Sequence, residues 1–198
     1  MTGPQPSRQA AAKIAVRDQL LTARRRRPLA EVGAAARALA EVVLDAPEVR
    51  RAATVACYVS VGSEPGTTAL LDQLVAVGKH VILPVLLPDN DLDWAPYTGP
   101  GSLAPARRGL LEPVSPGLGV DAIATADAVL VPGLAMGADG MRLGRGGGSY
   151  DRALGRIPVG TFTCVLLYDD EVLPSVPAEP HDRPVTAAAT PSGLHRFP

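Results

Sequence analysis

Four short runs constrain the fold of this chain more than any other feature: "TVACYVSVG" (54–62), "KHVILPVLL" (79–87), "ADAVLVPGLAM" (126–136) and "VGTFTCVLLY" (159–168). Each has strand length, is rich in β-branched or other apolar residues, and reads as a strand buried on both faces. Helical patterns stand between them. The stretch 7–27 starts at Ser7, a natural cap, and places Ile14, Arg17, Leu20 and Leu21 on a 3.6-residue period. Pro28 suits the first turn of a second helix over 28–46, "TTALLDQLVAVG" (67–78) stops at Gly78, and "SYDRALGR" (149–156) makes a short fourth. The segment "LDWAPYT" (92–98) is expected at a sheet edge, 88–120 as loop and edge hairpin, and "PVTAAAT" (184–190) as a last small strand. Strands alternating with helices predict an α/β fold, a three-layer sandwich whose mainly parallel sheet is covered by helices on both faces.

At 198 residues, with no long linker or repeat, the chain is expected to form a single domain over 1–198. Basic and acidic residues nearly cancel, 19 against 20, so charge offers no reason to expect a nucleic-acid partner. No apolar run approaches the roughly 20 residues of a membrane span, and the first residues are polar. A cytoplasmic monomer without a membrane partner is the expectation. Cys57 and Cys164 lie far apart in strand-like runs and read as buried free thiols. His80, His181 and His195 have no zinc-like spacing.

In such sheets ligands collect beyond the carboxyl ends of the strands, where "SVGSEPGTT" and "GLAMGADGMRLGRGGGSYDR" fall. The second stretch places Gly144, Gly146, Gly147 and Gly148 among Arg142, Arg145 and Arg152, just before Asp151. Glycine lets backbone N–H groups approach a ligand unobstructed, and such groups suit phosphate. Arg142 and Arg145 add cationic forks for phosphate oxygens, and Asp151 offers a hard oxygen to magnesium. The spacing satisfies neither the dinucleotide fingerprint nor the P-loop, so this is a nucleotide loop of another kind.

The order "VPGLAMGADGMRLGRGGGSYDR" resembles the signature of the 5-formyltetrahydrofolate cyclo-ligase, or methenyltetrahydrofolate synthetase, family. Further matching segments fall in the same order: "KIAVR", "YVSVGSEPGTTALL", "GKHVILP", "RRGLLEP" and "HDRPVT". The chain departs from the pattern at Met136 and Gly137, where the family has Phe-Asp, at Ser149, where it has tyrosine, and within "SEPGT", although Glu64 and Thr67 are kept.

The resemblance implies an enzyme that uses ATP and Mg2+ to close 5-formyltetrahydrofolate to 5,10-methenyltetrahydrofolate, through a phosphorylated formyl group. It implies ATP contacts from Lys13, Arg17, Arg142, Leu143, Gly144, Arg145, Gly146, Gly147, Gly148, Ser149 and Tyr150. It implies folate contacts from Val59, Glu64, Arg145, Gly146, Gly147, Gly148 and Ser149, magnesium ligands in Asp151 and Asp182, and catalytic roles for Arg145 and Tyr150. Two other readings fit the same residues: an ATP-binding regulatory relative without turnover, and an enzyme like a sugar-phosphate isomerase or coenzyme A transferase. Arg24 to Arg27 could offer cations to the polyglutamate tail of a folate but read rather as a solvated face favouring a helix carboxyl end, while Trp94 and Tyr97 suit either edge-strand packing or the border of a folate pocket.

Overall fold

The first two expected helices form as α1, Arg8–Arg25, and α2, Leu29–Asp45, and a short extra helix α3, Pro47–Arg51, follows. The computed structural model describes residues 8–197, so the expected Ser7 cap lies outside the described residues. Next come β1 (Thr54–Ala56), α4 (Thr68–Ala76), β2 (His80–Leu86), β3 (Leu92–Tyr97), β4 (Leu103–Pro105), β5 (Leu111–Pro113) and β6 (Ala128–Pro132). The chain then runs through β7 (Ala135–Met136), β8 (Arg142–Leu143), α5 (Ser149–Leu154), β9 (Phe162–Leu166), β10 (Ala187–Thr190) and β11 (Gly193–Arg196).

Seven strands make the central sheet in the order β11-β10-β9-β6-β1-β2-β3. The five inner strands pair in parallel, and β3 and β11 close the two edges antiparallel. From β1 the chain builds outward through β2 and β3, whereas from β6 it builds the other way through β9 and β10. The reversal falls between β1 and β6, where Val55 pairs with Ala128. Connections that leave in opposite directions open a crevice beyond the carboxyl ends of that pair.

Successive side chains of the inner strands point to opposite faces of the sheet, and both faces are buried. Val55, Cys57, Leu130, Cys164 and Leu166 pack with Leu39, Val43, Leu70 and Leu74 of α2 and α4 on one face. Ala56, Val129, Val131 and Val165 pack with Ala153 and Leu154 of α5 and with Ile123 on the other. Among the described residues no helix is long and apolar enough to cross a membrane.

Several expectations shift. The apolar run 54–62 is a strand only through Ala56; Cys57 N–H still donates to the Ile82 carbonyl (3.0 Å), and from Tyr58 the chain leaves the sheet to wall a cavity. The run 126–136 breaks at Gly133, where a Cβ would stand 2.5 Å from Val165 Cγ2, and its remainder forms the small β7–β8 hairpin. The last expected strand shortens to β10 and is not an edge, since β11 covers it. On α1 the expected apolar face is displaced: Ile14 is 53% exposed, while Lys13 and Arg24 are buried and Val16 and Leu20 pack against Ala135, Leu143 and Val176.

Candidate active site

The loop after β1 is closed by reciprocal side-chain bonds. Thr67 Oγ1 donates to the Tyr58 carbonyl (2.8 Å) and accepts from Ser60 N–H (2.9 Å), while Thr67 N–H donates to Ser60 Oγ (3.1 Å). This closure turns Glu64 back over the strand end. Its carboxylate accepts from Val61 N–H at 2.8 Å and pairs with Arg145 Nε at 3.1 Å.

Arg145 comes from the glycine loop, which joins β8 to α5. Two of its glycines are required by what surrounds them. Gly146 has φ +99°, and a Cβ there would lie 3.3 Å from the Arg17 guanidinium; at Gly144 a Cβ would lie 2.7 Å from Arg142 Nη1. Both arginines are fastened: Arg17 Nε donates to the Gly144 carbonyl at 2.8 Å, and Arg142 donates to the Pro132 carbonyl and to Asp151 Oδ1, each at 3.1 Å.

Two cavities meet at this loop. The first, about 310 Å³ and mainly apolar, is lined by Tyr58, Val59, Glu64, Pro84, Leu86, Leu92, Leu110, Leu111, Pro132, Gly133, Arg145, Ser149 and Tyr150. The second, about 210 Å³ and polar, is lined by Lys13, Arg17, Leu143, Glu179, His181 and Asp182. Arg142, Gly144, Gly146, Gly147, Gly148 and Asp151 line both. The glycine loop is therefore a common wall, thin because most of it has no side chain.

Every residue expected to contact ATP, folate or magnesium borders one cavity or the other, but not always the expected one. Arg145, Ser149 and Tyr150, expected at the nucleotide as well, line only the apolar cavity. Tyr150 is held far above the ordinary phenol range, first by burial and then by the Glu64 charge, so at neutral pH it is a hydrogen-bonding group and not a phenolate. Leu143 contributes to the polar cavity although its side chain is buried with Ala135 and Val176.

Lys13 is 3% exposed, and its ammonium bonds Glu179 Oε2 at 2.7 Å and Asp182 Oδ2 at 2.6 Å. Burial alone would lower its pKa, but the hydrogen bonds and charges of the two carboxylates outweigh burial and raise it. The Asp182 carboxyl is correspondingly held low: burial would raise it, but the Lys13 and Glu179 hydrogen bonds prevail. The two expected magnesium ligands, Asp151 and Asp182, thus line one cavity and are each paired with a cation. Among the described residues no three His, Cys, Asp or Glu side chains converge as a metal site.

One expectation is overturned. Arg24 is 1% exposed, not part of a solvated face. Its guanidinium grips Glu171 at 2.7 and 2.8 Å and donates to the Gly133 carbonyl at 2.7 Å. Arg27 lies 4.1 Å over the Tyr168 ring and pairs with Asp170. Arg24 therefore ties α1 to the strand ends that floor the apolar cavity. The periodicity held the signal: Lys13, Arg17 and Arg24 stand four and then seven residues apart, on one helix face.

Trp94 is fully buried in the core and the Tyr97 hydroxyl donates to Asp72 at 2.9 Å, so neither borders the cavity. Cys57 and Cys164 are buried thiols pushed up to about 12 by burial. Sequence reasoning missed Glu179, which lies three residues before Asp182. It also missed the Arg108–Glu112 side of the apolar cavity, although "RRGLLEP" marked the spot.

Comparison with known proteins agrees with this architecture. The chain is 46% identical over 143 residues to a 5-formyltetrahydrofolate cyclo-ligase of Mycolicibacterium smegmatis, covering 70% of this chain and 73% of that one. It is 34% identical over 154 residues to a protein of the same name from Escherichia coli, covering 74% and 82%. The solved 5,10-methenyltetrahydrofolate synthetase of Aquifex aeolicus superposes with a TM-score of 0.81 at 26% identity, covering 93% of this chain and 92% of the other. The sequence profile of the 5-formyltetrahydrofolate cyclo-ligase family matches residues 9–191, and the chain belongs to that family.

Proposed function

We propose that this protein closes the ring of 5-formyltetrahydrofolate to 5,10-methenyltetrahydrofolate with ATP, releasing ADP and phosphate. The observation that carries the reading is the shared wall: an apolar cavity suited to a pterin and its aromatic spacer touches a polar, cation-lined cavity suited to phosphates across Gly144–Gly148.

The chemistry needs that neighbourhood. The formyl oxygen is a poor leaving group, so it attacks the terminal phosphorus of ATP; the bond from that phosphorus to the bridging oxygen breaks and ADP leaves. N10 then attacks the formyl carbon and loses its proton, and the carbon–oxygen bond breaks to release phosphate. Such transfer asks the protein mainly for position and charge compensation. Lys13, Arg17 and Arg142 supply cations around the polar cavity, Arg145 stands on the folate side, and Glu64 accepts from the pterin N–H groups. Val59, Ser149 and Tyr150 shape the apolar wall, and Tyr150, kept neutral by burial and the Glu64 charge, would offer substrate a hydrogen-bonding hydroxyl.

The donor set suits magnesium that arrives with nucleotide: two carboxylates, Asp151 and Asp182, border the polar cavity, and phosphate oxygens and water would complete the shell. Bound there, the ion would neutralise phosphate charge during transfer.

The test mixes purified protein with 5-formyltetrahydrofolate and magnesium ATP and follows the ultraviolet band of methenyltetrahydrofolate. The band should grow only with ATP, and Arg145→Ala should suppress its growth while leaving the circular dichroism spectrum unchanged. No growth despite measurable ATP binding would support the regulatory reading instead.

A further inference from the structure

Three cations line the apolar cavity: Arg142, Arg145 and Arg108. Arg142 is committed to Asp151 and the Pro132 carbonyl, and Arg145 to Glu64. Arg108 is exposed and, among the described residues, has neither an ion pair nor a hydrogen bond. It is nonetheless held in place. It occupies the turn between β4 and β5, and that hairpin is clamped to the end of β2 from both sides: Arg107 Nη2 donates to the Leu86 carbonyl (3.1 Å), and Glu112 Oε1 accepts from Leu86 N–H (2.9 Å).

The backbone at Arg108 is also unusual. Its φ is +59°, the left-handed region that disfavours residues with a Cβ, and Gly109 follows at +72°. Glycine would fit position 108 without strain, and the chain carries an arginine there. The side chain thus sits on a constrained turn, beside Leu110 and Leu111, as the one uncommitted cation of a cavity that is otherwise mainly apolar.

Resting on the ring-closure reading, we propose that Arg108 binds the carboxylates of the glutamate tail of the folate and sets the preference for glutamylated over glutamate-free substrate. Once the pterin and formyl groups lie against Glu64 and the glycine loop, the part of the molecule still needing a partner is a carboxylate pair. A guanidinium fork matches a carboxylate. Glu112, the nearby carboxylate, is turned to the Leu86 N–H and does not compensate Arg108.

The test compares 5-formyltetrahydrofolate with 5-formyltetrahydropteroate, which lacks the glutamate, in wild type, Arg108→Gly and Arg108→Lys. Wild type should show a KM about three- to tenfold lower for the glutamylated form, the range of a partly exposed charge pair. In Arg108→Gly the two KM values should converge, with kcat at saturation and the KM for ATP as controls, and Arg108→Lys should restore part of the difference. Because glycine relieves the left-handed turn, the melting temperature of Arg108→Gly should match or exceed wild type, which a merely structural arginine would not allow. Calorimetry of the same two ligands without ATP reads tail recognition independently of turnover. Discrimination that depends on Arg108 without any ring closure would sustain the tail site and overturn the ring-closure reading. Equal discrimination in wild type and Arg108→Gly, or none in wild type, would overturn the proposal.

Discussion

Replacing Arg24 by methionine should destabilise the protein far more than a residue in a run of four arginines suggests. Its side chain and that of Glu171 are 0% and 2% exposed. The substitution would strand a buried carboxylate with the Tyr168 N–H as its remaining hydrogen-bond donor and remove the donor to the Gly133 carbonyl. Breaking one side of a buried pair costs about 3–5 kcal/mol. Arg24 Nη1 has no partner of its own, so the wild-type pair is not fully satisfied and the lower end, about 3 kcal/mol, is expected. For a domain of this size that corresponds to a fall in melting temperature of about 6–12 °C. The assay is guanidinium unfolding followed by the fluorescence of Trp94, the only tryptophan and fully buried. The double variant Arg24→Met with Glu171→Met should recover most of the loss, because it leaves no uncompensated charge. A single-variant cost under about 1 kcal/mol, or a double variant no better than the single, would mean that no uncompensated buried charge at Glu171 sets the loss.

Two further outcomes follow from the polar cavity. Asp182 has its carboxyl held low in the folded state with Lys13 beside it, so its contribution to stability is full above the unfolded value of about 4 and is lost as pH falls through the lower folded value. Lys13→Met should therefore be less stable than wild type by the widest margin near neutral pH, and urea titrations from pH 7 down to about pH 2 should show the margin closing. Gly146→Ala would put a Cβ on a residue with φ +99° and crowd the Arg17 guanidinium, so steady-state kinetics should show at least about a tenfold loss in kcat/KM for ATP, equivalent to 1.4 kcal/mol, with the fold retained.

The sheet was legible because strands such as 162–166 and 128–132 are buried on both faces and must be written in apolar residues throughout. The same reasoning overextends past Cys57, where Tyr58, Val59 and Val61 are apolar because they wall a cavity and not because they pair. Strand β11, "GLHR", escaped notice because it is short and half exposed, held by its pairing with β10 more than by its own composition. The glycine loop announced itself by composition, but which of its arginines faces which cavity did not, since Arg142 and Arg145 stand three residues apart and diverge only once β8 ends. Arg24 shows the limit most plainly. Its neighbours Arg25 and Arg26 are solvated, and only the helical phase it shares with Lys13 and Arg17 separates it from them.

In the proposed reaction the formyl oxygen takes a phosphoryl group from ATP across the glycine loop before the ring closes. Substrate labelled with 18O in the formyl group, turned over with unlabelled magnesium ATP in unlabelled water, tests it directly by mass spectrometry of the released phosphate. One 18O atom is expected in each phosphate formed; phosphate without the label, alongside normal yields of methenyltetrahydrofolate, would rule out transfer to the formyl oxygen.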